Sequence, residues 1–204
     1  MKKLMIAAAI VCAAVVSQAA TLDWSIAKKG FLMSDGSTKP DGTTVYLLNA
    51  GDATGMTALQ TALTGGKYAT LSALIAGEEF TAVKLGDPAT TIGSAGTSGF
   101  NTKYGNLTAS VDDLIEKKTY TGAFFVTDGD MFLISNTRDG VAYVDSADKS
   151  ELSFTTSDYK NGWTSKLEGS KNGWAKYTAA APEPTSGLLL LLGMAGLALR
   201  RRRA

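Results

Sequence analysis

The chain has 204 residues with one cysteine and no histidine, and its 20 Lys and Arg stand against 19 Asp and Glu for a formal net charge of +1. The missing histidine removes a histidine general base, the Ser-His-Asp and Cys-His pairs and an ordinary zinc site. A lone cysteine allows no internal disulfide, and the body left once both ends are removed is mildly acidic, which argues against nucleic acid, whose binding rests on clustered Lys and Arg.

Met1-Lys2-Lys3 is a basic start, the apolar run from Leu4 to Val16 follows, and Ser17-Gln18-Ala19 supplies small residues. That order is the pattern of a signal peptide over residues 1–19, with cleavage expected after Ala19 and Ala20 as the next choice. It implies the Sec export machinery and a signal peptidase as partners. Cys12 lies inside this segment, so the exported body holds no thiol. Without the two ends the body carries 14 Lys and Arg against 18 Asp and Glu, near −4. Residues 20–180 are one domain's worth of chain, long enough for a core of their own.

Along that body, Leu22 to Ile26 and Phe31 to Met33 are short candidate strands, and Ser34 to Thr43 is a polar loop. Thr43 to Leu48 is β-branched and aromatic, as a buried strand is. Met56, Leu59 and Leu63 recur at helical spacing up to Gly65-Gly66, and Thr70 caps a second short helix carrying Leu71, Leu74 and Ile75. Glu79 to Leu85 returns to alternation. Gly86 to Gly105 is rich in Gly, Ser, Thr and Ala and predicts a long surface loop or loose hairpin; it has neither the spacing nor the ending of a phosphate-binding loop.

Tyr120 to Thr127 predicts a strand, Asp128-Gly129 a tight type I′ turn, and Asp130 to Asn136 the returning strand. Arg138-Asp139-Gly140 predicts a turn into Val141 to Asp145, and Ser146 to Ser150 another into Leu152 to Thr156. Turns at this interval make an antiparallel meander, so the expected fold is mainly β: a single antiparallel sandwich-like or barrel-like domain with one or two short helices. A repeat follows, Lys160-Asn161-Gly162-Trp163 and then Lys171-Asn172-Gly173-Trp174. Its plain reading is two hairpin turns whose tryptophans cap the core. Its functional reading makes Trp163 and Trp174 a pair of candidate carbohydrate-binding platforms.

Only carboxylates remain for acid–base work. Asp112, Asp113, Glu116, Asp128, Asp130, Asp145 and Asp148 could supply a glycosidase pair, but nothing in the sequence brings two of them together. Turn acids are common for backbone reasons. Asp128, Asp130, Asp145 and Asp148 offer oxygen ligands for calcium without an EF-hand loop. No catalytic residue, metal site or cofactor is assigned. Asn106-Leu107-Thr108 fits the glycosylation triplet and is taken as chance.

The tail has three parts: Pro182-Glu183-Pro184, an uncharged apolar run from Gly187 to Leu199, and Arg200, Arg201, Arg202 and Arg203. As a helix the apolar run would cover about 20 Å, short of a bilayer core of about 30 Å. It suits a weak transmembrane helix, with the arginines holding the cytoplasmic side. The prolines keep the segment before it extended. This order resembles the PEP-CTERM sorting signal of Gram-negative bacteria, with residues 181–204 as the sorting tail. The resemblance implies export, a transient inner-membrane intermediate, a cut by an exosortase near Pro182 to Pro184, and delivery to the cell surface or an extracellular matrix with exopolysaccharide. The combined expectation is a non-enzymatic surface or matrix protein. A carbohydrate-binding module is the alternative, and a carboxylate-dependent glycoside hydrolase comes after it.

Overall fold

A computed structural model describes residues 19–27, 31–37, 43–91, 106–144 and 152–181. The apolar start, the Pro-Glu-Pro motif, the apolar run and the arginines lie outside them, as do Asp145, Asp148 and the expected turn at Ser146 to Ser150. Among the described residues no helix is long and apolar enough to cross a membrane.

Among the described residues nine strands form two sheets. The smaller has β1 (Ala19–Ala27) between β4 (Asn106–Ile115) and β8 (Leu152–Phe154). The larger runs β3 (Lys84–Thr91), β2 (Thr44–Asn49), β5 (Thr119–Asp128), β6 (Met131–Ile134), β9 (Ala175–Lys176), with β7 (Arg138–Val141) also on β5. Four helices accompany them: α1 (Ala53–Thr64), α2 (Leu71–Ile75), α3 (Glu78–Val83) and α4 (Thr156–Lys160). The mainly-β expectation is met, but the sheets do not close into a barrel. Nor is the pairing wholly antiparallel, because β8 lies parallel to β1 with Trp24 opposite Leu152.

Side-chain alternation explains the layering. On β1, Ala20, Leu22, Trp24 and Ile26 are all buried in a core shared with Val45, Leu47, Phe124, Val126, Leu152 and Phe154. The other faces of β2, β5 and β6 bury Leu48, Ala123, Phe125, Phe132 and Ile134 against Met56, Leu59, Leu63, Leu74, Phe80 and Val83 of the helices. Successive strand residues point to opposite faces. Phe124 and Phe125 therefore serve two cores, and the larger sheet is the middle layer between the small sheet and the helices. Each such ring buried contributes about 1.5–3 kcal/mol.

Several local expectations are corrected. Phe31 to Met33 is not a strand; Phe31 is anchored by edge contacts to Phe124 and Tyr159 at 5.9 and 5.0 Å. Glu78 to Val83 is helical, since Phe80 and Val83 at a spacing of three face one core while Glu78 and Glu79 suit a helix N-terminus. The glycine-rich stretch opens as strand β3, which tolerates Pro88 because it is an edge strand. Arg138-Asp139-Gly140 is strand, not turn.

The β5–β6 hairpin pairs Asp128 with Met131, so its two loop residues are Gly129 and Asp130. Only Gly129 has positive φ, +57°, as in a type II′ rather than a type I′ turn. Beyond it, β6 and β7 are one return strand with an insertion. Ile134 pairs with Phe125 and Arg138 with Gly122, so four steps on the return side match three on β5. The extra residue makes a bulge. Ser135 secures it: the Phe124 amide donates to Ser135 Oγ at 3.0 Å, and the Ser135 amide donates to the Phe124 carbonyl at 3.1 Å.

Candidate functional site

The end of the folded body is the place where any tail signal must be handed over, and it is built from four short pieces. Strand β9 ends at Lys176, and the chain runs on without regular secondary structure through Tyr177 to Ala181. The Tyr177 ring is buried in the helix-side core. Its hydroxyl accepts from the Tyr68 amide at 2.9 Å and donates to the Tyr68 carbonyl at 2.5 Å. Three residues on, the Ala180 amide donates to the Gly66 carbonyl at 2.9 Å.

Gly66 permits this approach. It sits at φ +64°, and a Cβ there would meet the Ala180 nitrogen at 2.3 Å and the Thr178 carbonyl oxygen at 2.4 Å. The left-handed conformation and the crowding both demand glycine. The turn at Gly65-Gly66 is thus more than a helix stop: it is the seat of the last backbone bond before Pro182.

The Gly66–Tyr68 loop is held in turn by α3. Glu79 accepts from Tyr68 Oη at 2.5 Å and pairs with the Lys67 ammonium. Those two donors, Lys67 first, hold the Glu79 carboxyl down to about 2. The same hydrogen bonds raise Lys67 and Tyr68 above their ordinary values. Gly77 leaves room for the Tyr68 ring, because a Cβ there would lie 2.3 Å from its hydroxyl oxygen. None of Gly66, Tyr68, Glu79 or Tyr177 is marked out by the sequence pattern. Only the adjacent glycines and the aromatic between small residues hint at them.

Those of the candidate carboxylates that lie among the described residues have separate roles. Asp112 accepts from Thr21 Oγ1 at 2.9 Å. Asp128 accepts from the Ser34 amide and hydroxyl at 3.1 and 2.5 Å, a loop-fixing role. Glu116 and Asp130 are exposed on turns. Among the described residues no group of three Asp, Glu, His or Cys is placed to hold a metal ion.

The two tryptophans differ. Trp174 is 1% exposed, lies against Phe31 at 6.5 Å, and donates from Nε1 to the Leu32 carbonyl at 3.1 Å. A sugar ring has no access to it. Trp163 is half-buried, 6.4 Å from Phe132 at the edge of the helix-side core. The repeat does not place two indoles side by side on the surface. Near its second copy, Leu32, Gly36, Tyr159, Lys160 and Asn172 line a half-open cavity of about 100 Å³, below the roughly 300 Å³ at which ligand pockets begin.

Comparison with known families places the other side of the handover. A family model described as the PEP-CTERM protein-sorting motif matches residues 180–203. Neither a curated protein nor a solved structure matches the chain. The motif implies an exported protein that passes to the cell surface by way of a membrane-anchored stage and is processed by an exosortase. Its first matched residue, Ala180, is also the one whose amide makes the body's last described backbone hydrogen bond.

Proposed function

We propose that the chain is a non-enzymatic surface or extracellular-matrix protein, exported through the Sec route and cut in its tail by an exosortase-type enzyme. The observation that carries this reading is the sorting motif at residues 180–203, beginning where the folded body ends. Pro182, Glu183 and Pro184 are the residues the enzyme grips, and Arg200 to Arg203 hold the cytoplasmic side while it does so. Signal peptidase removes residues 1–19. β1 runs Ala19–Ala27, so this cut takes its first residue and leaves the new N-terminus, Ala20, already within the central strand of the small sheet.

The body supports a scaffold role through its architecture: two packed cores and carboxylates engaged in loops and caps, as Asp128 and Asp158 are. Exopolysaccharide is its proposed surrounding, with Trp163 as the aromatic left near the surface. Intact-mass measurement of protein recovered from the surface of a host with an exosortase tests the reading. The expected mass lacks both residues 1–19 and the terminal arginines. A surface product that still carries Arg200 to Arg203 overturns it.

A further inference from the structure

We propose that Gly66–Tyr68 and Tyr177–Ala180 form a clamp on the tail exit that confines the processing cut to bonds beyond Ala180. This rests on the sorting reading above and adds the body's own part in it. Two features fix the exit from opposite directions. Tyr177 is a buried side-chain anchor whose hydroxyl bonds to both the amide and the carbonyl of one residue, Tyr68. The Ala180 amide is a backbone anchor on Gly66, where no larger residue fits. Between them Ala179 packs against the helix-side core.

A protease or transpeptidase needs its substrate extended and free on both edges for several residues. Residues 177–180 are engaged at both ends, by the buried Tyr177 ring and by the Ala180 amide, although Thr178 and Ala180 keep exposed side chains, and Ala181 follows the last bond as an exposed residue. The scissile stretch therefore starts at Ala181, just before the Pro-Glu-Pro motif, because the fold engages the chain as far as Ala180. The clamp also limits the tether. Six residues lie between Ala180 and Gly187, and the seven Cα steps across them extend to about 25 Å at most. The enzyme must work within that span, beside the face that carries Gly66 and Lys67.

The test uses the full chain and needs no exosortase. Proteinase K trims exposed tails without sequence preference, and intact mass reads where it stops. Wild-type protein is expected to stop at or beyond Ala180, with a protected Ala180 amide in hydrogen exchange. Tyr177→Phe keeps the ring but loses both hydroxyl bonds, and the Ala180 amide should exchange about tenfold faster. Trimming should then reach Tyr177 or earlier. Gly66→Ala opens the backbone anchor independently and should give the same shortened core. Wild-type trimming that passes upstream of Ala180, or stopping points unchanged in both variants, overturns the clamp. If the clamp stands while a host with exosortase returns uncut protein, the sorting reading fails and the clamp does not.

Discussion

Arg138 and Asp158 meet through two parallel hydrogen bonds, Nε to Oδ2 at 3.0 Å and Nη2 to Oδ1 at 2.8 Å. The same carboxylate caps α4, accepting from the Thr155 amide at 2.7 Å and hydroxyl at 2.8 Å. The Asn136 amide, just past the bulge, donates to the Asp158 carbonyl at 2.8 Å. One residue thus ties the interrupted strand of the larger sheet to the helix that follows β8.

Asp158 is buried while Arg138 is partly exposed, so the two truncations act through different losses. Removing the arginine leaves a desolvated carboxylate with only the cap donors. Removing the carboxylate lets Arg138 return to water but loses the cap. Arg138→Met and Asp158→Ala should each cost about 2–4 kcal/mol, with a coupling well above that of an exposed pair. Glu168→Gln, on an exposed loop, should stay within about 0.5 kcal/mol. Urea unfolding of the two single variants and the double variant measures this.

Leu152 of the small sheet fills a notch between Gly122 of β5 and Gly140 of β7. A Cβ at Gly140 would sit 2.8 Å from Leu152 Cβ, near the backbone, whereas one at Gly122 would meet the movable Leu152 Cδ1 at 2.8 Å. Gly140→Ala should therefore destabilise by about 1–3 kcal/mol and Gly122→Ala by less. Adding Leu152→Ala should relieve part of the Gly140→Ala penalty. Denaturant midpoints decide the order; equal penalties at both glycines would contradict the sheet packing described.

The tail exit should weaken at both pH extremes. Glu79 titrates near 2 in the folded chain against an ordinary 4.5. A depressed carboxyl stabilises the folded state above its unfolded value and loses that contribution as pH falls through the interval. Lys67 and Tyr68 are raised above 10.5 and 10.0, so their contribution is full below those values and is lost as pH climbs past them. Melting temperatures of wild type and Glu79→Gln should differ between about pH 5 and 9, and the difference should shrink as pH falls from 4.5 toward about 2. A constant difference across the acid range would remove Glu79 as the titrating group.

Much of the fold was legible because local pattern and burial agree. The helix through Met56, Leu59 and Leu63, the Thr70 cap and the strands over Val45 and Phe124 all follow from periodicity. Errors arose where a residue serves two patterns. Phe80 and Val83 fit a strand and a helix alike in so short a run, and the neighbouring helices decided it. Arg138-Asp139-Gly140 has turn composition, but Gly140 is there to admit Leu152. The parallel pairing of β1 with β8 joins residues more than a hundred positions apart, and nothing local encodes it. The sorting motif was readable because its parts are adjacent in sequence; the exit that presents it was not, because Gly66, Glu79 and Tyr177 come together only in space.

The repeated tetrapeptide offers the sharpest separation of sequence from structure. In the second copy Asn172 and Gly173 both have positive φ, +55° and +88°, and Lys171 and Trp174 close the turn with amide-to-carbonyl bonds of 2.8 and 2.9 Å. That is the type I′ geometry expected of Asn-Gly. In the first copy Asn161 ends α4 at φ −112° and Gly162 starts the 3₁₀ turn Trp163–Lys166 at φ −64°. Identical residues therefore face opposite demands. Asn172→Ala removes the short polar side chain that makes the left-handed region tolerable to asparagine and should cost about 1 kcal/mol or more. Asn172→Gly should be neutral or better, because glycine enters that region freely. Asn161→Ala should change stability by less than about 0.5 kcal/mol. Thermal and urea unfolding of the three variants gives the comparison, and equal losses for Asn161→Ala and Asn172→Ala would mean that the two copies share one conformation.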